Sequence, residues 1–185
     1  MAPNPRRMPD PEATLRPAAA LLLMYPHEDV WHVPLTVRGS GLRHHTGQVS
    51  LPGGRLDHPG ESVEDAALRE AHEEIGVAPS SVELLGRLTP LPIAVSGHIL
   101  HPVIGVAARR PAFAIAADEV ERLIELPIAR LLQPDVIAWE QRMRLSDAVD
   151  VPYFAIDGAQ VWGATAMVLA EFIAVLEEIN FHAEA

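Results

Sequence analysis

An α/β fold, in which a mixed sheet is covered by helices on both faces, is what this sequence predicts, and three observations carry it. Runs rich in apolar and β-branched residues recur at 18–25, 30–38, 82–88 and 98–107, as strands require. Segments 63–75 and 163–179 instead carry helical periodicity, and they lie far apart in the chain. Strands interrupted by two well-separated helices need cover on both sheet faces. The length, 185 residues, suits one domain with a substantial core. Residues 1 to 16, with prolines at 3, 5, 9 and 11, read as a flexible tail, which leaves 17–185 as the domain.

The elements follow in order. Strands 18–25 and 30–38 flank Pro26-His27-Glu28-Asp29, a turn that makes an early hairpin. A loop over 39–47 precedes a short strand at Val49-Ser50-Leu51, which stops at Pro52-Gly53-Gly54. The helix expected at 63–75 has Ser62 as N-cap with Asp65 three residues on, and Gly76 where a helix commonly ends. Ala67, Leu68, Ala71 and Ile75 form its packing stripe. Strands 82–88 and 98–107 are separated by a proline-containing loop, and 118–133 reads as mixed with a short helix at 128–132. A second hairpin, 136–144 with 151–156, leads to the helix at 163–179, where Ala166, Leu169, Ile173 and Leu176 recur at helical spacing.

Composition excludes several classes. The formal charge of −11 opposes general nucleic-acid binding, which needs a basic surface. Zero cysteines exclude disulfides and thiol catalysis and fit a reducing cytoplasm. No apolar run approaches the roughly 20 residues of a membrane span, and the N-terminus lacks the apolar core of a secretory leader. Nothing in the sequence specifies an oligomer. Acidic residues are absent from 36–55, where Arg38, Arg43, His44, His45 and Arg55 all occur, so this segment suits a small anionic ligand. Residues 84–117 are also free of acids, which makes that signal modest by itself.

The segment Arg69-Glu70-Ala71-His72-Glu73-Glu74-Ile75-Gly76-Val77 is the most informative in the chain. At about 3.6 residues per turn, Glu70, Glu73 and Glu74 share one face beside the packing stripe. Acidic helix faces are commonly solvated surface, yet like charges this close repel unless a cation neutralises them. Oxygen-only ligands suit a hard cation, Mg²⁺ or Mn²⁺, rather than zinc or iron.

Gly54, Glu61, Arg69, Glu70, Glu73, Glu74, Gly76 and Val77 closely resemble the Nudix box, Gly-x5-Glu-x7-Arg-Glu-U-x-Glu-Glu-x-Gly-U with U aliphatic. One departure is visible: six residues, Arg55 to Gly60, separate Gly54 from Glu61 where the box has five. The extra residue falls in Asp57-His58-Pro59-Gly60, a turn-rich string able to absorb it. Upstream, Leu35-Thr36-Val37-Arg38 and then Leu42-Arg43-His44-His45-Thr46-Gly47-Gln48-Val49-Ser50-Leu51-Pro52-Gly53-Gly54 are similar to the signature of Nudix hydrolases acting on coenzyme A. Pro34, Gly39 and Leu51 depart from that signature. Similarity extends, less specifically, through 97–105 and 161–166.

The resemblance implies a Nudix-type α/β/α sandwich and hydrolysis of a diphosphate with Mg²⁺ or Mn²⁺ as cofactor. It implies Glu70 and Glu74 as first metal ligands with Glu73 assisting and the Gly54 carbonyl as a further oxygen. Glu70 and Glu119 are rivals for the base that takes the proton of the attacking water. Arg69 is expected to bridge Glu61 and orient the acidic face, while Gly53 and Gly54 let the chain pass close to the metal. Glu70, Glu73, Arg69 and Glu119 thus form the expected catalytic set. Arg38, Arg43 and His45 are the candidates for the substrate's phosphates. His98, His101, Trp31, Trp139 and Trp162 read as packing residues. The substrate implied is coenzyme A or an acyl derivative, a small molecule split into adenosine 3′,5′-bisphosphate and 4′-phosphopantetheine or its acyl form. Alternatives are another nucleoside diphosphate derivative, such as an oxidised nucleotide, dinucleotide or nucleotide sugar, and a nucleotide sensor without turnover, which has no need of a complete acidic site.

Overall fold

The structure is a computed structural model, and it describes residues 14–39, 47–144 and 147–184. The expected strands form: β1 (Arg16–His27), β2 (Val30–Arg38), β3 (Val49–Ser50), then β4 (Gly53–Arg55) and the helix α1 (Val63–Ile75). β5 (Glu83–Arg87), β6 (Leu91–Ile93), β7 (His98–Val106) and β8 (Val120–Pro127) follow, then the short α2 (Ile128–Leu131). β9 (Ile137–Arg144), β10 (Asp147–Ile156), β11 (Ala159–Val161) and α3 (Gly163–Glu178) complete the chain.

β1 organises the fold. Its run of apolar residues is buried on both faces, the pattern of a central strand rather than of a half-exposed one. Ala19, Leu21, Leu23 and Tyr25 belong to one core with Ala66, Ala67, Ala71 and Ile75 of α1. The alternate residues Ala20, Leu22 and Met24 belong to a second core with Ala166, Leu169, Phe172 and Leu176 of α3. Period-two alternation along one strand therefore assigns a helix to each sheet face, which is the α/β/α arrangement.

The eight-stranded sheet is mixed. β1 runs parallel to β7, pairing Arg16 with His98 through Met24 with Val106, while β1 to β2, β2 to β8 and β5 to β7 are antiparallel. β9, β10 and β11 form a separate three-stranded antiparallel sheet. The β1–β2 connection is tighter than expected. Pro26 and His27 remain in the strand, and only Glu28 and Asp29 turn, both at positive φ (51° and 60°), which matches the twist of a two-residue hairpin.

α1 has the expected bounds. Ser62 Oγ accepts from the Asp65 amide at 3.0 Å, and Gly76 ends the helix at φ 73°. β1 begins at Arg16, just inside the segment expected to be a tail, and residues 1–13 lie outside the described residues. Gly53 and Gly54 do not simply end a strand: they form β4, paired antiparallel with Ala20 and Ala19 of β1. β6 lies in what reads as a loop, β11 adds a third strand to the second hairpin, and β8 occupies the mixed segment. β8 hides Val120, Ile124 and Leu126 while exposing Glu121 and Arg122, so its apolar content is too broken to stand out in one dimension. Among the described residues no helix is long and apolar enough to cross a membrane.

Candidate active site

The site is organised by Arg69, in the middle of α1. Its Nε donates to Glu61 Oε1 at 2.8 Å and Nη2 to Glu61 Oε2 at 3.3 Å, a two-pronged bridge that holds the carboxylate well below its usual pKa. Nη2 also donates to the Arg55 carbonyl at 2.9 Å, tying the helix to the end of β4. Nη1 reaches Glu70 at 3.0 Å and Glu73 at 3.1 Å. The loop with the extra residue closes through Asp57 N–H to Glu61 Oε2 at 2.6 Å and Glu61 N–H to the His58 carbonyl at 3.2 Å, with Gly60 at φ 95°. Glu61 therefore reaches Arg69 despite the insertion.

The helix carboxylates differ in surroundings. Glu73 is exposed and rests on Arg69. Glu70 is half-buried, and burial raises its pKa against the pull of Arg69. A Cβ at Gly54 would overlap the Glu70 carboxylate, and one at Gly53 would overlap the Ala19 carbonyl, so glycine is needed for close approach and not for backbone conformation. Glu74 is buried, and desolvation, with the Glu70 charge second, pushes it up to about 7. Its Oε2 is buried without a hydrogen-bond partner.

The segment after β7 places Glu119. Ala114 and Ala116 donate to the Ile75 and Glu74 carbonyls at 3.0 and 2.9 Å, satisfying the end of α1. Glu119 follows, its carbonyl accepting from Gly39 at 3.0 Å, exposed but near enough to Glu74 to raise that residue's pKa further. Arg38, at the end of β2, opposes this effect on Glu74, and its Nε is buried without a partner.

Among the described residues no three acidic or histidine side chains stand close enough to form a metal centre as they are arranged, and Arg69 occupies both Glu70 and Glu73. The site still fits a hard divalent cation. The donors are carboxylate oxygens, one of them buried and unsatisfied, and a glycine backbone lies against Glu70 where any side chain would intrude.

Three cavities adjoin one another at Trp162, and the first reaches the carboxylate site through Gly53 and Gly54, with no α1 residue in its lining. The first, about 340 Å³, is lined by Gly53, Gly54, Arg38, Gln48 and Thr165. It shares Ile93, Val95, Trp162 and Ala164 with a second cavity of about 340 Å³, lined mainly by apolar residues including Leu91, Val149, Val151 and Met167. A third, about 480 Å³, shares Gln48 and Trp162 with the first.

Arg69, Glu70, Glu73, Glu74, Gly53, Gly54 and Arg38 are thus gathered around one end of β4, with Glu119 at the edge. Arg43 and His45 lie outside the described residues. His98 and His101 are half-buried in β7, and Trp31 packs near Phe181. Trp139, expected to pack, is 66% exposed. Trp162 borders all three cavities with the Arg142 guanidinium 4.0 Å over its ring, a role invisible without the second sheet.

A NUDIX domain family model matches residues 14–148. The Escherichia fergusonii protein named uncharacterized Nudix hydrolase NudL is 38% identical over 137 residues, covering 74% of this chain and 71% of that one. Among solved structures, the M. smegmatis Nudix hydrolase RenU aligns with TM-score 0.59 at 21% identity over 89% of this chain and 85% of that one, a likeness of fold. The NUDIX domain of Shewanella oneidensis NrtR, complexed with ADP ribose, aligns with TM-score 0.50 at 26% identity over 67% and 81%. A family match across most of the chain and a relative at 38% identity lead to one conclusion: the chain belongs to the Nudix family and is a hydrolase of pyrophosphate bonds.

Proposed function

We propose that the chain is a metal-dependent coenzyme A diphosphatase, splitting coenzyme A or an acyl derivative into adenosine 3′,5′-bisphosphate and 4′-phosphopantetheine or its acyl form. The observation that carries this choice among nucleoside diphosphate derivatives is the apolar cavity continuous with the Gly53–Gly54 floor. Val95 and Met143 line it while 81% and 71% exposed, which leaves large apolar side chains open to water unless an apolar group covers them. A pantetheine or acyl-pantetheine arm supplies that group, whereas a nucleotide sugar or dinucleotide puts polar groups there. The signature that runs through Arg38 and Gln48 to Gly54 supports the same reading.

Glu70 and Glu74 would hold the cation with Glu73 assisting, and Arg69 fixes the helix against β4. When bound, Mg²⁺ or Mn²⁺ supplies charge neutralisation for the diphosphate and Lewis-acid activation of water. Water oxygen bonds to one phosphorus, the bridging P–O bond breaks, and the released proton passes to Glu70 or Glu119. Arg38 lines the first cavity, which supports a role for it at the diphosphate. The cysteine-free composition fits action in a reducing cytoplasm. ADP ribose remains a specific second candidate because a solved Nudix domain holds it.

The test is a substrate panel of coenzyme A, an acyl-coenzyme A, NADH, ADP ribose, a diadenosine polyphosphate and oxidised dGTP, each with Mg²⁺ and with Mn²⁺. Coenzyme A or its acyl form should give the highest kcat/KM. A clear preference for ADP ribose or oxidised dGTP ends the coenzyme A reading.

A further inference from the structure

The third cavity has no α1 residue in its lining and shares only Arg142 and Trp162 with the apolar groove. Gln48, Arg122, Arg142, Gln160 and Trp162 line it, and no Asp or Glu does so among the described residues, in a chain whose formal charge is −11. Arg142 is held in place: its guanidinium lies 4.0 Å over Trp162, Nε donates to Glu140 at 2.9 Å, and Nη2 donates to Gln160 Oε1 at 3.1 Å. Nη1 makes no hydrogen bond among the described residues. Because the Gln160 oxygen is taken by Arg142, the end of that amide left over is its donor nitrogen. Arg122 is exposed on β8, across from Val37 of β2, and its side chain makes no ion pair or hydrogen bond among the described residues. Among the described residues the lining thus presents donors and positive charge, with Glu140, outside the lining, paired to Arg142 at 2.9 Å.

We propose that this cavity is a phosphomonoester subsite, in which Arg122 and Arg142 bind a phosphate carried on the nucleoside of the diphosphate substrate. Two guanidinium groups suit a phosphate in donor geometry, with Arg122 supplying the unpaired charge and Arg142, braced by Glu140 and Trp162, supplying fixed donors. The cavity joins the Gly53–Gly54 cavity at Gln48 and Trp162, so one ligand can occupy both. Arg38 lines the first cavity and not the third, which leaves the distal phosphate to a different pair. The subsite rests on the coenzyme A reading for the identity of that group, the 3′-phosphate. It makes the enzyme selective for phosphorylated nucleosides.

The test is calorimetric binding of adenosine 3′,5′-bisphosphate and adenosine 5′-monophosphate to the wild type, Arg122→Ala and Arg142→Gln, with thermal melts to verify folding. The wild type should bind the bisphosphate about tenfold to hundredfold more tightly, the effect of a charge-assisted arginine–phosphate contact. Arg122→Ala should shrink that ratio toward one and leave adenosine 5′-monophosphate affinity unchanged; Arg142→Gln should shrink it too. Equal or undetectable binding of the two ligands by the wild type, or a ratio that survives both substitutions, overturns the subsite. Hydrolysis of coenzyme A and 3′-dephospho-coenzyme A separates this outcome from the parent reading. If neither is hydrolysed, the coenzyme A reading fails while the binding ratio still judges the subsite. If both are hydrolysed with equal kcat/KM, the subsite falls and the reading stands.

Discussion

Arg69 joins Glu61, Glu70, Glu73 and the Arg55 carbonyl, so one side chain sets both the entry to α1 and the direction of its acidic face. Arg69→Ala should lower stability by roughly 1–3 kcal/mol, since charge-assisted bonds are lost and Glu61 is left without its cation, and should lower activity with it. A melt within a degree of the wild type, with activity lost, would assign Arg69 to the chemistry instead. Glu70→Gln and Glu74→Gln behave differently. Each keeps the shape of the side chain and removes a ligand charge, so turnover at limiting Mg²⁺ should fall by about two orders of magnitude or more while the fold persists. Near wild-type rates in both variants contradict the ligand assignment. The Glu61–Arg69 spacing and the acidic face were legible in the sequence because they sit on one helix. Arg122, Arg142 and Trp162 were not, because β8, β9 and the start of α3 bring them together and no local periodicity relates them.

At the scale of elements, β4 is the hinge between fold and site. Its pairing with Ala19 and Ala20 of β1 brings Gly53 against backbone and Gly54 against Glu70. Gly53→Ala should therefore destabilise the protein, because the methyl meets backbone that cannot yield. Gly54→Ala meets a side chain that can rotate away, and should cost activity far more than stability. Comparing kcat with the thermal midpoint for both variants decides this; equal loss of stability in the two would refute the distinction. The helices and long hairpin strands could be read from capping residues and apolar runs. β4, β6 and β11 could not, since each is three residues long and is defined by its partner strand more than by its own composition. β8 was hidden because Glu121, Arg122 and Glu125 interrupt its apolar residues, although those charges lie along a strand whose other positions are buried.

For the molecule as a whole, the α/β/α layering follows from β1, whose alternate residues serve two cores, and a link across the sheet adds a pH dependence. Tyr25 Oη donates to Glu125 Oε2 at 2.9 Å, and Arg110 donates to both oxygens of the same carboxylate at 2.6 Å. Arg110 first, then Tyr25, hold Glu125 below the usual carboxylate range against the effect of burial. A depressed folded-state pKa means stabilisation that is complete above the unfolded value and lost as pH falls through the folded one. Glu125→Gln should cost about 1 kcal/mol at neutral pH, a modest figure because the pair is partly exposed, and the difference should vanish in acid. A pH-independent difference in denaturant midpoints would show that the Glu125 charge is not involved. The central proposal is that the acidic helix, with the cavities reached through Gly53 and Gly54, acts on the diphosphate of coenzyme A. Mass analysis of products from coenzyme A, Mg²⁺ and ¹⁸O-labelled water tests it most directly. Adenosine 3′,5′-bisphosphate and 4′-phosphopantetheine are the expected products, with label in one of them and neither formed by Glu70→Gln. Intact coenzyme A under conditions where another nucleoside diphosphate derivative is consumed would contradict it.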